Sequence, residues 1–508
     1  MERASGRLRG TTLAAAASAA AFVVYGLLRL HALEHNFDEG VYIAQARLVM
    51  AGLRPYVDFF YHQTPLYLYT LAGFAAPAPD SLVPYRLLSL LATAATGLLV
   101  YAMARQLLAP MPAVFALILF YTAPLQFYDM LALPNAVMLC LATAGTWFLG
   151  FRRGAASAAL GAALLVLAIL EKPIALPMAA AVGIATIADR TRWGDAIWAA
   201  VVAASTGLCA WLLFDRMSGG AFTELLRLQT GRFASKSGFE LMLGYPPFQQ
   251  RVRGAGIHSA LGWNLYEHAR SLLLPGPFGN LHLVLLAALG QIHVARRPSP
   301  AWVGRRLLIT ALWALPLLFS VFVWEPVWDH YFVQYLPALA LLGGAALQVL
   351  WEARRLPRLA RGVGIIVVAL GVAAGVSHVE LRTADYTLVP HAQSPGEQWL
   401  TFDPFLNLIA GAEPACGLID PFNVYGERSL VALSDNAAWR RFRVDREDLL
   451  RCLDADPSIR IAIGSVRWFF LDRDLQEDLD RLGPQRVVHM PLFLSNQNRH
   501  ARRTSLLR

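Results

Sequence analysis

Eleven stretches of this chain, near residues 11–30, 82–108, 111–127, 132–151, 155–170, 174–188, 196–214, 279–295, 307–324, 331–350 and 363–378, are long apolar runs. Each approaches the roughly 20 residues that a helix needs to cross about 30 Å of hydrocarbon. Backbone groups in hydrocarbon must be satisfied internally, so runs of this kind can cross only as helices. With 56% of 508 residues hydrophobic and only 16% charged, the chain is not a water-soluble globule, a disordered segment, a collagen-like fibre or a small disulfide scaffold. The expected fold is a polytopic α-helical membrane protein with about eleven transmembrane helices.

The charge is unevenly placed. From residue 380 onward 16 Lys+Arg stand against 18 Asp+Glu, so the net +9 belongs to the membrane part, where the first 379 residues carry 28 against 17. These cations sit in short loops between apolar runs, the pattern of topology-setting charge rather than a nucleic-acid stripe. No nucleic-acid partner is expected; membrane lipids are. With the amino terminus cytoplasmic, the inner loops collect Arg105, Arg152, Arg153, Arg190, Arg192, Arg296, Arg305 and Arg306, among others, and the short outer loops keep almost none. An odd number of spans then puts the carboxyl terminus outside. The Arg-rich start and Ala-rich first run resemble a signal peptide, and we read them as an uncleaved anchor in the inner (plasma) membrane.

This orientation gives the outer face two long juxtamembrane segments, 31–81 and 215–278, the turns at Asp129 and Glu171, the turn before His330, and everything after residue 378. The expected division is a transmembrane module over 1–378 and a small soluble extracytoplasmic α/β domain over 379–508. In that domain, 416–419, 459–463 and 487–490 read as buried strands and 445–453 and 471–482 as amphipathic helices. It has no G-x-G-x-x-G turn, so no nucleotide is assigned. Cys416 and Cys452 would face an oxidising compartment, where they pair or remain buried thiols.

Ionisable residues near membrane depth are functional candidates by default. Directly after the first run comes His35-Asn36-Phe37-Asp38-Glu39-Gly40-Val41-Tyr42, with two adjacent carboxylates ahead of an amphipathic stretch. Asp38 is either a reacting carboxylate or the N-cap of the following helix. Residues 55–69 are dense in aromatics and contain Asp58, Tyr61 and His62; they read as interfacial belt anchors or as a substrate wall. Asp129 and Glu171-Lys172-Pro173 stand at the same expected depth. Lys172 is one of only two lysines, the other being Lys236, and either snorkels or holds a phosphate. Trp328-Asp329-His330-Tyr331 opens the tenth run. Arg251, Arg253, Lys236 and Arg270 add cations to the second outer segment.

Together, an Asp-Glu pair after the first span, an amphipathic helix, Tyr-x-Asp leading to Gln-x-Pro-Leu-Tyr, a second outer acidic turn, an outer Lys-Pro and a late His-Tyr resemble the GT-C integral membrane glycosyltransferases. The branch most similar is that of the protein O-mannosyltransferases and aminoarabinose transferases. The resemblance covers roughly residues 1–350, best over the first 215 or so. It implies a GT-C fold, a polyprenyl-phosphate-linked sugar donor, a lipid, glycan or protein acceptor with a hydroxyl-type group, and transfer at the outer face, with inversion. It further implies Asp38 as catalytic base, Asp129 as second acidic residue, and Lys172, with Arg251 and Arg253, on the donor phosphate. Glu39, Tyr42, Tyr61, His62, His330 and Tyr331 would contact or position substrate. The second acidic turn, Tyr-Asp-Met-Leu-Ala-Leu-Pro-Asn, departs from the family pattern in carrying one carboxylate.

Asp38, Asp129, His62 and His330 lack close metal-ligand spacing such as H-x₃-H; no cofactor is assigned and a divalent metal is left open. The competing class is a transporter or flippase for an envelope precursor. A carrier places ionisable residues at mid-bilayer on broken, repeated helices, whereas here they cluster at the outer ends and the Asp38 segment has no repeat.

Overall fold

The computed structural model describes residues 2–34, 36–234, 252–274, 279–296, 303–323, 327–352, 357–384, 391–394, 396–420, 424–425, 437–464, 475, 478–479, 481–482 and 486–490. Its membrane part is a helical bundle: α1 Glu2–Arg29, α2 Phe37–Met50, α3 Leu66–Ala75, α4 Leu82–Leu107, α5 Pro110–Tyr121, α6 Gln126–Asp129, α7 Pro134–Thr146, α8 Ala155–Glu171, α9 Leu176–Ala188, α10 Trp193–Met217 and α11 Ala221–Ala234. There follow α12 Ala260–Leu273, α13 Leu281–Ala295, α14 Val303–Phe322, α15 Leu336–Trp351 and α16 Pro357–Leu381.

Among the described residues seven helices are long and apolar enough to cross a membrane, and the shorter apolar helices Pro110–Tyr121, Ala155–Glu171, Pro173–Ala188 and Leu281–Ala295 coincide with the other four expected runs. The chain is a multi-pass helical membrane protein. A fifth short apolar helix, α3, lies in the first juxtamembrane segment. The span His330–Trp351 is the hub, 89% of its apolar window being buried by neighbours, whereas the span Arg190–Met217 is an edge helix with only 11% buried. Small residues set the hub's packing. At Gly290 of α13 a Cβ would collide with the Leu342 carbonyl of α15, so the two backbones meet there.

After α16 the chain forms a four-stranded parallel sheet, β1 Gln398–Leu400, β2 Glu413–Pro414, β3 Arg460–Gly464 and β4 Val487–Met490, in the order β2-β1-β3-β4. Helices α17 Pro404–Ala410, α18 Ala437–Arg440 and α19 Arg446–Ala455 accompany it. Parallel strands joined by helices make this the expected α/β unit. The expected strand at 416–419 is a turn instead: Cys416 and Gly417 both adopt positive φ, which a strand does not tolerate. The strand pairing there ends at Pro414, and β1 was not anticipated because it is only three residues long. Most of 471–482 lies outside the described residues.

This domain sits directly on the membrane module. Gly40 of α2 faces α17, where a Cβ would collide with the backbone of Phe405. Trp439 is fully buried with its ring 5.4 Å from that of Phe60, and Arg441 donates to the Val57 carbonyl. Cys416 and Cys452 are joined as a disulfide.

Candidate functional site

The helix α2 begins at an N-cap, and the cap is Asn36: its side-chain oxygen accepts from the Asp38 N–H at 2.9 Å. The N-cap reading of Asp38 therefore falls. Asp38 stands in the first helical turn with its side chain 44% exposed, and one carboxylate oxygen lies 3.8 Å from His330 Nε2. His330 is the second residue of the 3₁₀ helix Asp329–Tyr335, which leads into α15.

From His330 a chain of contacts runs to Lys172. Asn135, in the first turn of α7 after Pro134, donates its side-chain N–H to the His330 carbonyl at 2.7 Å. Lys172 Nζ donates to the Asn135 side-chain oxygen at 2.8 Å and lies 4.5 Å from the centroid of the Tyr331 ring. Lys172 is buried, so its ammonium is held by this amide and this π-face inside the protein; the snorkelling reading falls. It occupies the break between α8 and α9 that Pro173 enforces. Asp38, His330, Asn135, Lys172 and Tyr331 thus converge from four separate segments of sequence.

Asp129 ends α6 and is fully buried. Its carbonyl accepts from Thr93 Oγ1 at 3.0 Å, it lies within electrostatic range of Lys172, and neither of its carboxylate oxygens has a hydrogen-bond partner among the described residues. Buried polar atoms are nearly always paired, so an unpartnered buried carboxylate within electrostatic range of a buried ammonium is a candidate binding group. Glu171, next to Lys172, turns the other way and accepts from Thr70 Oγ1 at 3.1 Å.

The aromatic segment after α2 is not an interfacial belt. Tyr56, Phe59, Phe60, Tyr61 and Tyr67 are buried in protein, between α2, α3 and the soluble domain. Tyr42 lies within electrostatic range of Asp38, Tyr61 and Tyr331 and its ring meets that of Tyr67 edge-on at 5.4 Å, while Tyr61 lies within electrostatic range of Glu171. The Tyr61 hydroxyl has no partner among the described residues; burial and the neighbouring Glu171 and Asp420 carboxylates push its pKa well above the usual phenol range, so it stays a donor. His62 lies one step further out, its Nδ1 3.4 Å from the buried Asp420 carboxylate of the soluble domain. Beside this wall a cavity of about 570 Å³ opens, lined by Arg54, Tyr56, Arg216, Glu224, Trp439 and Arg441.

Glu39 does not face the Asp38 side chain's partners. It makes a two-pronged ion pair with Arg86, both contacts 2.7 Å and both side chains fully buried, and accepts from the Ala132 N–H at 2.9 Å. Arg86 completes its donors on the carbonyls of Leu30 and Leu33, and its guanidinium stacks over Phe405 at 5.5 Å. One buried cluster therefore fixes the end of α1, the start of α2 and α4, the Asp129 loop and the soluble domain.

Arg253 is exposed, and among the described residues no hydrogen bond or ion pair joins it to Asp38, Asp129 or Lys172. Arg251, Lys236 and His35 lie outside the described residues. Also among the described residues, no group of three or more His, Cys, Asp or Glu is placed to hold a metal ion. Asn135 and Arg86 are the residues that sequence reasoning missed. Their signals were a polar residue just inside an apolar run after Leu-Pro, and an arginine near the start of the second run, at its outer end.

No family model and no curated protein matches the chain. Solved structures do resemble it. ArnT from Cupriavidus metallidurans bound to undecaprenyl phosphate matches with a TM-score of 0.59 at 13% identity, over 87% of this chain and 91% of that one. The apo state of ArnT matches with 0.57 at 12%, over 93% and 95%. The Archaeoglobus fulgidus oligosaccharyltransferase in complex with Zn and sulfate matches with 0.50 at 12%, over 77% of this chain and 62% of that one. At such identities the likeness is one of fold.

Proposed function

We propose that this chain, which has the fold of the GT-C integral membrane glycosyltransferases, moves a sugar from a polyprenyl-phosphate donor to a hydroxyl-type acceptor on the extracytoplasmic face. The observation that carries the reading is the linked set Asp38–His330–Asn135–Lys172, which sets a half-exposed carboxylate and a buried ammonium within a few contacts of each other at one end of the bundle. A site of this kind needs both signs. As the acceptor oxygen attacks the anomeric carbon, the acceptor O–H proton passes to Asp38, the bond from that carbon to the phosphate oxygen breaks, and the phosphate leaves with the electron pair. General-base assistance of this sort is worth roughly 10² to 10⁴-fold. Lys172 opposes the charge growing on the phosphate, the kind of electrostatic term that is often larger. Attack opposite the departing phosphate inverts the anomeric centre.

In this reading His330 orients Asp38 or the acceptor hydroxyl, Tyr42, Tyr61 and Tyr331 wall the sugar, and Asp129 serves as a second acidic group beside Lys172. Arg253 and Arg251 belong to the second juxtamembrane segment as candidates for the donor phosphate. His62, held by Asp420, and the cavity lined by Arg54 and Arg441 suit the acceptor side. Undecaprenyl phosphate, bound in the ArnT neighbour, supports a lipid-phosphate donor here. The disulfide between Cys416 and Cys452 supports an extracytoplasmic domain after residue 378, and with it a cytoplasmic amino terminus in the inner membrane.

The test is incubation of the purified protein with a panel of radiolabelled polyprenyl-phosphate sugars and membrane extract. Label moving to a lipid, glycan or protein acceptor is the expected outcome. No transfer from any donor, together with substrate flux in liposomes, would turn the assignment to a carrier. For Lys172→Ala the expected loss is in donor affinity or rate; kinetics unchanged across donor concentrations remove Lys172 from the site.

A further inference from the structure

We propose that the end of the bundle opposite Asp38 carries a built site for the headgroup of an anionic phospholipid. The short α-helix α7 ends in a π-helical turn, Trp147–Phe151, and the last carbonyls of a terminating helix have no partner within it. Arg192 takes them up, donating to the carbonyls of Leu149 (2.5 Å), Gly150 (3.2 Å) and Arg152 (2.8 Å), while Asp195 pairs with it at 3.1 Å. That arrangement opens a cavity of about 470 Å³ into which Arg152, Arg153, Arg190 and Arg305 converge around Arg192. Among the described residues none of those four forms an ion pair with a carboxylate. Asp189, the acidic residue of the lining, accepts from the Thr191 N–H and hydroxyl and lies within electrostatic range of Arg153 and Arg192, one carboxylate against five arginines. Arg305 lies within electrostatic range of both Arg153 and Arg192, so like charges face one another across the cavity. Topology-setting arginines need only stay on one side of the membrane. Arginines drawn together around a cavity against their own repulsion call for an anion between them.

The remaining wall says which anion. Ala185, Leu307 and Leu308 line the cavity's apolar side, and Ile184 and Ile187 of α9 and Trp193 of α10, adjacent in the chain to lining residues, stand exposed. A phosphate in the arginine ring would carry its acyl chains down that surface. Basic pockets between helix ends are a recognised way of holding acidic headgroups, with about 1 kcal/mol per cation near the surface, or roughly fivefold in binding.

The experiment is native mass spectrometry of the full-length, delipidated protein, with phosphatidylglycerol, phosphatidylcholine and inorganic phosphate added separately and then in competition. Phosphatidylglycerol should be retained over phosphatidylcholine, and Arg152→Gln/Arg153→Gln/Arg305→Gln should lower its retention at least about tenfold. Arg190→Gln alone, which leaves the π turn untouched, should lower it about fivefold, and Arg227→Gln at the other end of the bundle should have no effect. Size-exclusion profile and melting temperature report whether each variant is folded; if the triple variant is not, Arg190→Gln decides. Equal retention of the two lipids, or undiminished phosphatidylglycerol binding in a folded variant, overturns the proposal. Displacement of the lipid by millimolar inorganic phosphate would also overturn it, in favour of a soluble anion. The outcome is independent of whether the chain transfers sugar.

Discussion

Asp38 and Glu39 are neighbours in sequence with opposite fates, because successive side chains of a helix point about 100° apart. One projects toward His330 and solvent, the other into a closed cluster with Arg86. This separation yields two predictions of different kind. Asp38→Asn keeps the volume and the Asn36 cap, so the protein should fold and insert with an unchanged melting temperature while transfer falls by at least roughly 10²; a full turnover rate in the purified variant removes Asp38 from the reaction. Arg86→Met leaves the Glu39 carboxylate buried without its partner, and breaking such a pair costs about 3–5 kcal/mol. The melting temperature in detergent should drop sharply, and Arg86→Met/Glu39→Leu should recover part of the loss. A melting point unmoved by Arg86→Met would show that the cluster is dispensable. The acidic pair, Asp129 and Lys172 were legible in sequence because ionisable residues stand out in apolar runs. The link between them was not, since Asn135 is neutral and its role depends on which side chain it meets across the bundle.

Helices were easier to read than their contacts. Each of the eleven apolar runs is a helix, because hydrocarbon length and backbone satisfaction leave little choice. What the runs do not encode is where short elements dock. The aromatic segment reads in sequence as either an interfacial belt or a substrate wall, because composition alone cannot tell a ring facing lipid from one covered by a distant domain. Gly40 illustrates the same limit. In a helix interior, Gly→Ala ordinarily stabilises by up to about 1 kcal/mol, and Gly183 of α9, with open space around it, should behave that way. Gly40→Ala should instead destabilise, since its Cβ meets the backbone of Phe405 and must push α17 off α2. Limited proteolysis reads this directly: the tail after residue 378 should be released faster from Gly40→Ala than from wild type, and no faster from Gly183→Ala. Equal release from Gly40→Ala and wild type would mean that the contact does not hold the domain.

At the scale of the whole molecule, the C-terminal α/β domain covers part of the aromatic wall and carries the disulfide between Cys416 and Cys452. Cys416 and Cys452 are 36 residues apart in sequence, and closing a loop of that length restricts the unfolded chain by about 4 kcal/mol in the chain-entropy account. The small sheet has a compact core of five buried residues, Trp399, Leu406, Ala410, Ala412 and Ala462, and its first two strands are only three and two residues long, so a loss of that size should loosen it. Because Phe405, Trp439 and Asp420 reach from this domain to Gly40, Phe60 and His62, loosening should propagate to the site rather than remain in the tail. Cys416→Ser should therefore lower the melting temperature of the tail and reduce transfer together, with the membrane bundle still monodisperse in detergent. Treatment of wild type with dithiothreitol should reproduce both effects and leave Cys416→Ser unchanged. A reduced protein that melts lower but transfers at the wild-type rate would uncouple the domain from the site and confine its role to stability.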